Sequence, residues 1–297
     1  MTAWSFVAAS GILALALVAH KPVSAQGPGG PAGTGNFDFS GEYAPVFHEE
    51  QPERLGGPEI GDYLGMPITP ASRLHGDSWS ASLLTMPEHQ CKPHPSDYGV
   101  RGPANLRISK EVDPASQQLV AFHTLISWQT PQRTIWMDGR PHPPEYAVHT
   151  WQGFSTGRFD GDQLVINTTH LKQGWIRRNG LPRSDLATFN ERLAYHAGVL
   201  MLMTIVNDPI YLSEPFVRTT NFTENKRQVI APYPCYPAVE IDRPTGVVPN
   251  NVLDGNKGLQ EFSERFSIPY EATRGGAETM YPEYQLKLAA MPKPVKK

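Results

Sequence analysis

The chain has 297 residues, with 26 Lys and Arg against 29 Asp and Glu and a formal net charge of −3. Because this near-neutral chain carries no Lys/Arg-rich run before its last few residues, we expect no nucleic-acid partner. Its length suits one large domain or two small ones.

Residues 1–25 have the pattern of a secretory signal peptide. An almost unbroken apolar run over residues 4–19 is followed by Val23-Ser24-Ala25, whose small side chains suit a signal peptidase. The run is shorter than the roughly 20 residues of a membrane-spanning helix, and no later stretch is long and apolar enough to span a bilayer. We therefore expect a periplasmic or secreted protein without an integral membrane segment after cleavage. Because no Lys or Arg precedes the run, an uncleaved N-terminal anchor is the alternative.

The rest of the chain divides by composition. Residues 26–36 are rich in Gly and Pro and predict a flexible leader. We predict a single β-rich domain over residues 37–297, with its core strands within about 105–222 and a C-terminal wrapping segment over 223–297. Within that segment, Pro-rich extended chain is followed by a short amphipathic helix at 257–266 and then a tail.

Short elements precede the core strands. Residues 37–42 alternate in polarity like a first strand. Thr69 followed by Pro70 predicts a helix over about 70–82, with Thr69 as its N-cap and Pro70 in its first turn. Residues 86–103 are dense in Pro, His and Gly and predict a loop.

The central region predicts one short strand after another. Asp160-Gly161 is a strong hairpin turn signal, and Ala197-Gly198 marks a second hairpin. Roughly seven or eight short strands with tight turns favour a mainly β fold, an antiparallel lipocalin-like barrel or curled sheet with short helices and long N- and C-terminal wrapping segments. The predicted strands cover residues 105–111, 118–128, 133–137, 151–159, 162–171, 186–195, 199–207 and 214–222.

Only two cysteines occur in the chain, Cys91 and Cys235. In an oxidising compartment their simplest arrangement is one disulfide, which would join the C-terminal wrapping segment to the predicted loop at 86–103. Such a bridge closes a long loop and would stabilise the fold by about 4–5 kcal/mol in the chain-entropy model. Two free cysteines are the alternative.

No diagnostic catalytic or cofactor motif stands in a suitable context. The chain has no H-E-x-x-H, P-loop or C-x-x-C sequence, and we expect no cofactor. Residues 153–157 read G-F-S-T-G and match G-x-S-x-G. A nucleophile elbow needs a strand, a sharp turn and a helix, whereas this serine lies in a strand that enters a hairpin, so we reject the match.

Two histidine-rich clusters raise the question of a metal site. No spacing in either cluster matches a zinc template, Cys91 is better used in a disulfide, and loop histidines more often cap hydrogen bonds, so we predict no bound metal. The clusters are His89, Cys91 and His94, and His142, His149 and His170.

Polar and aromatic side chains concentrate on the strands between residues 133 and 178. Two arginines, an aspartate and a histidine surround the end of one strand, and a histidine and a tryptophan share a face in the next by period-two alternation. These side chains and those that follow the next hairpin are Arg133, Trp136, Asp138, Arg140, His142, His149, Trp151, His170, Trp175 and Arg177.

Glu191 is a charged residue on a strand face whose other residues, among them Phe189 and Tyr195, are apolar and predicted to point inward. Because a buried carboxylate is costly without a partner, we expect Glu191 to meet an arginine such as Arg133 or Arg140. The pair is either a structural contact between strands or part of a cavity that binds or protonates a ligand, with tryptophans as its apolar walls.

Long motifs cover nearly the whole mature chain: SLLTMPEHQCKPHPSDYG at 82–99, RTIWMDGRPHPP at 133–144, HTWQGFSTGRFDGDQLVINTTHLKQGWIRRNGLPRSD at 149–185, NDPIYLSEPFVRTTNF at 207–222 and RGGAETMYPEY at 274–284. With these motifs the chain resembles a widespread family of uncharacterised exported bacterial proteins. The resemblance implies export and carries no catalytic residue set. Members typically show Trp-Glu-Gly-Asp where this chain has Phe159-Asp160-Gly161-Asp162, a change that keeps the hairpin turn.

Two functions from different classes fit these residues. The one we favour is a cofactor-independent acid–base enzyme, an isomerase, lyase or hydrolase, acting on a small, largely apolar or aromatic molecule. The other is a non-catalytic periplasmic protein that binds such a molecule. An interaction or envelope-structural protein is a third possibility and would have no cavity. The candidate catalytic residues are Glu191, Asp138, His142 and His170, and the candidate ligand-binding residues are Arg133, Arg140, Trp136, His149, Trp151, Trp175, Arg177 and Tyr195.

Overall fold

The computed structural model describes residues 37–46, 58–102, 104–239, 242, 244, 256 and 258–294. The predicted signal peptide and leader lie outside the described residues, as does part of the predicted Pro-rich extended chain. No helix in the described part of the chain is long and apolar enough to cross a membrane.

Nine of the described strands close into one barrel, in the order β1-β11-β10-β9-β6-β5-β4-β3-β2, and β7 pairs with β8 in a separate two-stranded sheet. The barrel closes because β1 pairs on one side with β2 and on the other with β11. The prediction of a mainly β barrel is therefore confirmed. The strands are β1 (Gly41–Pro45), β2 (Leu106–Val112), β3 (Leu119–Ile126), β4 (Gln132–Trp136), β5 (Phe154–Asp160), β6 (Gln163–Thr169), β7 (Gly174–Trp175), β8 (Pro182–Arg183), β9 (Thr188–His196), β10 (Val199–Asn207) and β11 (Phe216–Glu224).

One pair of neighbouring strands departs from the predicted antiparallel arrangement. β4 and β5 run parallel and are joined only through Ile135 with Ser155 and Trp136 with Thr156. A parallel pair needs a long crossover connection, and residues 137–153 provide it. The strand predicted to begin at residue 151 begins instead at Phe154. The first residues of β4 have no partner on β5, so a gap opens there, and we call this junction the seam.

Turn residues with positive φ explain the β5–β6 and β9–β10 hairpins. Gly161 has a positive φ of 63° in the turn between β5 and β6, and Ala197 and Gly198 have positive φ of 50° and 83° between β9 and β10. Both predicted hairpins are confirmed, and their positive φ values suit tight turns that keep the twist of the flanking strands. The first strand begins at Gly41 rather than at residue 37, because Phe39 instead packs, fully buried, into the barrel core.

Side chains fill the barrel in two clusters of buried apolar residues. The larger lies in the barrel and comprises Phe39, Tyr43, Val100, Ala104, Leu106, Ile108, Phe122, Ile126, Ile135, Leu164, Ile166, Leu193, Leu200, Leu202 and Phe222. The smaller combines strand residues with residues outside the barrel and comprises Tyr63, Met66, Ile68, Leu171, Ile176, Leu181, Phe189, Val206 and Leu212. Alternate inward positions of the strands supply most of the larger cluster, as period-two alternation requires.

The predicted first helix is present but shorter than expected. α1 (Pro70–Asp77) begins with the Thr69 hydroxyl accepting a hydrogen bond from the Ser72 amide at 3.3 Å, which confirms the predicted cap. After it come the 3₁₀ turns Ala81–Thr85 and Pro87–His89 and the helical turn α2 (Ser96–Gly99), in a region partly predicted as loop.

The predicted C-terminal helix is present as α3 (Gly258–Phe266), but the predicted tail is wrong. It folds into α4 (Tyr270–Thr273), the 3₁₀ turn Ala277–Met280 and α5 (Tyr284–Ala290). A polar contact holds this segment to α1: Asp77 accepts hydrogen bonds from Arg274 Nη1 at 2.6 Å and from the Tyr63 hydroxyl at 3.0 Å. Such a side-chain contact between distant residues leaves no local pattern in the sequence.

A disulfide joins Cys91 to Cys235, with the two Cα atoms 5.5 Å apart and a sequence separation of 144. Beside it, Gln90 Nε2 donates to the carbonyl of Ala238 and the Ala238 amide donates to Gln90 Oε1, both at 2.7 Å. The predicted bridge is confirmed, and it fastens the extended chain after β11 to the segment that precedes α2.

Removing this bridge should destabilise the fold. For Cys235→Ser, we expect the free energy of unfolding to fall by up to about 5 kcal/mol, because the unfolded chain regains the entropy of a long open loop. Urea denaturation of oxidised wild-type and variant protein measures the loss. The control is Cys91→Ser, which should match Cys235→Ser and should not add to it in the double variant. If a reductant left the wild-type unfolding midpoint unchanged, the stabilising role would be refuted.

Candidate functional site

A pocket of about 450 Å³ opens at the seam, and we call it the seam pocket. Its volume falls within the range of small-molecule binding sites. It forms beside the first residues of β4, which have no paired partner on β5. Its lining consists of Pro93, Pro131, Gln132, Arg133, Thr134, Trp136, Thr150, Trp151, Gln152, Gly153, Phe154 and Ser155.

The alternation of inward and outward side chains along β4 and β5 determines which residues line the seam pocket. Arg133 on β4 and Ser155 on β5 are buried inward positions, whereas their strand neighbours Thr134, Trp136 and Phe154 are only partly buried and point outward. The pocket is therefore built on the outer side of the barrel, and two inward-pointing polar side chains reach it through the gap. Its lining combines aromatic rings with amide and hydroxyl groups.

Arg133 forms an ion pair with Glu191 inside the barrel. Arg133 is 6% exposed and Glu191 is 0% exposed. Arg133 Nη1 donates to Glu191 Oε1 at 3.3 Å, and Nη2 donates to Oε2. Arg133 also donates through Nε to Ser155 at 2.9 Å and through Nη2 to Thr168 at 2.6 Å, while the Thr204 hydroxyl donates to Glu191 Oε1 at 3.3 Å. The sequence predicts an arginine partner for Glu191, and the structure identifies Arg133.

This network connects five strands, because its members lie on β4, β5, β6, β9 and β10. Removing two charges from water costs several kcal/mol per ion, and only a pair with good geometry and further hydrogen bonds repays that cost. Here both carboxylate oxygens and all three guanidinium nitrogens have partners. Arg133 is the one ionisable residue of the pocket lining, so its pairing leaves the lining electrically neutral.

Asp138 and Arg140 form a separate pair on the outside of the barrel. Arg140 Nε donates to the two carboxylate oxygens of Asp138 at 2.9 and 3.0 Å. The guanidinium carbon lies 3.5 Å from the centre of the Trp136 ring, which is a cation–π contact. Hydrogen bonds from Arg140 lower the pKa of Asp138, so this carboxylate stays ionised. Through Trp136 the pair adjoins the seam pocket.

A chain of hydrogen bonds links two of the predicted histidines. His170 Nε2 donates to the carbonyl of Pro144 at 3.0 Å, and His170 Nδ1 lies 2.7 Å from the Thr169 hydroxyl. The same hydroxyl lies 2.7 Å from His142 Nδ1, and His142 Nε2 lies 2.8 Å from the Thr156 hydroxyl.

Burial lowers the pKa of His142, and the neighbouring His170 adds to the shift. His149 completes the cluster: its Nδ1 lies 2.9 Å from the Leu171 carbonyl, and its ring centre lies 5.3 Å from that of His170. The His142 ring lies 5.3 Å from the pocket residue Phe154. Within the described ranges, no three His, Cys, Asp or Glu side chains are grouped as metal ligands would be.

The structure brings some predicted site residues together and leaves others apart. Arg133, Trp136 and Trp151 line the seam pocket, but the other five candidates for ligand binding do not. Arg140 contacts the pocket residue Trp136 from outside the lining, and His149 lies beside His170. Trp175 lies on β7, outside the barrel, with its ring centre 4.6 Å from that of Trp79. Arg177 donates to the backbone carbonyl of Asp62 at 3.1 Å, and Tyr195 lies at the hairpin end of β9, stacked on Phe37.

Several lining residues carry no sequence signal strong enough to find them. Gln132, Thr134, Gln152 and Phe154 look like ordinary strand or turn residues. Ser155 stands in the rejected G-x-S-x-G match, yet its hydroxyl serves as an acceptor for Arg133 at 2.9 Å. Their common role depends on the parallel pairing of β4 with β5, which no local pattern reveals.

His94 supports one side of the seam pocket. Its backbone carbonyl accepts from the pocket residue Gln152 at 2.6 Å. Its ring packs edge-on against Trp128, with the ring centres 5.1 Å apart, and its Nε2 atom is buried without a hydrogen-bond partner among the described residues. Burial lowers the pKa of His94 to about 4, and the charge of Arg178 adds to the shift.

Breaking the Arg133–Glu191 pair should destabilise the barrel. For Glu191→Gln, we expect the free energy of unfolding to fall by about 3–5 kcal/mol, because a buried guanidinium loses its counter-charge. Urea denaturation measures the fall. The control Asp138→Asn removes a half-exposed pair and should cost at most about 1 kcal/mol. The double variant Arg133→Met/Glu191→Leu should recover part of the loss. An unchanged midpoint for Glu191→Gln would contradict the assigned role.

His94 should make the fold sensitive to mild acid. Its pKa is about 4 in the folded protein and about 6.5 in an unfolded chain. Its contribution to stability is therefore complete above pH ~6.5 and is lost as the pH falls to about 4, by up to about 3 kcal/mol. Melting temperatures across this pH range should fall less steeply in His94→Gln than in the wild type. The exposed control His196→Gln should keep the wild-type slope, and parallel profiles for all three proteins would refute the prediction.

Comparisons with known proteins place no relative beside this chain. No family model matches it, and no match is found among the curated proteins or the solved structures.

Proposed function

We propose that this protein binds a small, largely apolar or aromatic molecule in the seam pocket. The observation that carries the proposal is the lining itself, a pocket of about 450 Å³ that places the rings of Trp136, Trp151 and Phe154 among hydrogen-bonding side chains. Largely apolar surfaces with a few placed polar groups are typical of small-molecule sites.

The aromatic rings provide affinity, and the polar groups provide orientation. Stacked or edge-to-face aromatic pairs contribute roughly 0.5–1.5 kcal/mol each beyond the burial of their area. Gln132, Thr134 and Gln152 offer amide and hydroxyl groups along the same surface. A flat molecule with one polar end can contact both kinds of group at once.

The residues beneath the seam pocket are fixed before any ligand binds. Arg133 is held at Ser155, Thr168 and Glu191. On the opposite side, the disulfide at Cys91 restrains the chain two residues before the lining residue Pro93. A preformed site loses less conformational entropy on binding and therefore keeps more of its contact energy as affinity.

Binding ranks above the acid–base chemistry that the sequence favours. A general base must come within hydrogen-bond reach of the substrate, whereas Glu191 is fully buried with both oxygens occupied. Asp138 is held ionised by Arg140. His142, whose pKa is lowered and whose ring packs on Phe154, is the residue that an enzyme using this pocket would employ. The catalytic roles of Glu191, Asp138, His142 and His170 stay predictions.

We further propose that the protein works in the periplasm or is secreted. The disulfide fits an oxidising compartment, since such bridges rarely persist in a reducing cytosol. Export through a signal peptide at residues 1–25 and membership of the exported family remain predictions from the sequence.

The test uses N-phenyl-1-naphthylamine, a neutral aromatic probe whose own fluorescence rises in apolar surroundings. We expect saturable binding to the wild type, with an affinity about tenfold lower in Trp151→Ala, because one aromatic contact and its buried area are lost. The matched control is Tyr146→Ala, which removes an aromatic side chain that is 90% exposed and lies outside the lining.

Equal probe affinities for the wild type, Trp151→Ala and Tyr146→Ala would place any binding outside the seam pocket and refute the proposal. The melting temperature of Trp151→Ala, measured beside the titration, should stay close to that of the wild type because Trp151 is only partly buried. If that temperature falls sharply, Trp136→Phe serves as the second variant. It keeps a ring at another wall of the pocket and should lose less affinity than Trp151→Ala.

A further inference from the structure

We infer that the molecule bound in the seam pocket is an aromatic anion, a flat ring system carrying a carboxylate, sulfonate or phosphate group. The inference rests on the proposed function and names the ligand class of the same site. Two lysines, Lys92 and Lys172, carry it, because both place their ammonium groups beside the pocket residue Trp151.

The two ammonium groups converge on one ring. Lys92 Nζ lies 6.0 Å from the centre of the Trp151 ring, and Lys172 Nζ lies 5.2 Å from it. The lysines come from distant parts of the chain, one beside the disulfide and one after β6. At most about 11 Å therefore separates the two charges, close to one Debye length at about 0.1 M salt.

A backbone hydrogen bond places Lys172, and the neighbouring disulfide places Lys92. The Lys172 amide donates to the carbonyl of Thr150 at 2.9 Å, which fixes Lys172 beside the segment that bears Trp151. Lys92 stands between the disulfide-bonded Cys91 and the lining residue Pro93. The positions of the two side chains are thus built into the fold, while their flexible stems let the ammonium groups turn toward a ligand.

The positive charge of this pair is not balanced nearby. Within the described part of the chain, neither lysine has a carboxylate partner, and the contact of Lys92 Nζ is with His89 Nδ1 at 3.2 Å. The charge of Arg133 is already neutralised by Glu191. The seam pocket therefore has a neutral lining and a positive edge.

A comparison of energies shows whether contact with the Trp151 ring alone explains the positions of the two lysines. An exposed cation–π contact is worth less than the side-chain entropy that a fully fixed lysine loses. The ring alone therefore does not immobilise both lysines. An anionic group at the pocket edge would attract both ammonium groups and relieve their mutual repulsion, while the ring of the ligand contacts Trp151.

The experiment compares two probes that share one aromatic scaffold. 8-Anilinonaphthalene-1-sulfonate carries a sulfonate, and N-phenyl-1-naphthylamine lacks it. We expect the wild type to bind the sulfonate probe more tightly. The double variant Lys92→Gln/Lys172→Gln should bind the sulfonate probe about 5- to 10-fold more weakly, because two charge contacts are lost. Its affinity for the neutral probe should change less than about twofold. Added salt should weaken only the sulfonate probe.

The matched control is Lys226→Gln, which removes a 79% exposed lysine that is paired with Glu224 instead of lying beside the pocket. It should leave both affinities at the wild-type value. If the neutral probe binds but the double lysine variant affects both probes equally or neither, the inference is overturned while the binding function stands. If neither probe binds the wild type, the proposed function itself fails, and the inference fails with it.

Discussion

The buried contact between Arg133 and Glu191 is the interaction on which the rest of the site depends. β4 and β5 share only two paired positions, too few backbone hydrogen bonds to fix their spacing. The guanidinium adds contacts from β4 to Ser155 on β5, to Thr168 on β6 and to Glu191 on β9. Thr204 on β10 donates to the same carboxylate. Five strands are thereby held around one charge pair, and the gap between β4 and β5 keeps a defined width.

The parallel pairing at the seam accounts for both the pocket and its surroundings. Because β5 must run in the same direction as β4, residues 137–153 return along the outside of the barrel. This connection carries Thr150, Trp151 and Gln152 to the gap and packs His142 and His149 against the end of β6.

The charges at the seam are arranged differently inside the barrel and at the pocket edge. Inside the barrel each charge at the seam is paired, because an unpaired ion there would cost several kcal/mol. At the pocket edge, in contact with water, Lys92 and Lys172 can remain without carboxylate partners at little cost. A neutral, aromatic lining with a cationic edge suits a ligand that is flat at one end and anionic at the other. The disulfide at Cys91 fixes this edge relative to the lining.

The features that local interactions control were predictable from the sequence. Alternation and turn residues predicted most strands and both hairpins, placed Glu191 on an inward face, and predicted an arginine beside it. Two cysteines in a chain with a predicted signal peptide predicted their bridge. The tertiary structure alone decided the parallel pairing of β4 with β5, the choice of Arg133 over Arg140, the separation of Trp175, Arg177 and Tyr195 from the pocket, and the helices of the predicted tail. These features depend on contacts between residues far apart in the chain, which form only when the barrel closes and leave no periodic signal in any one segment.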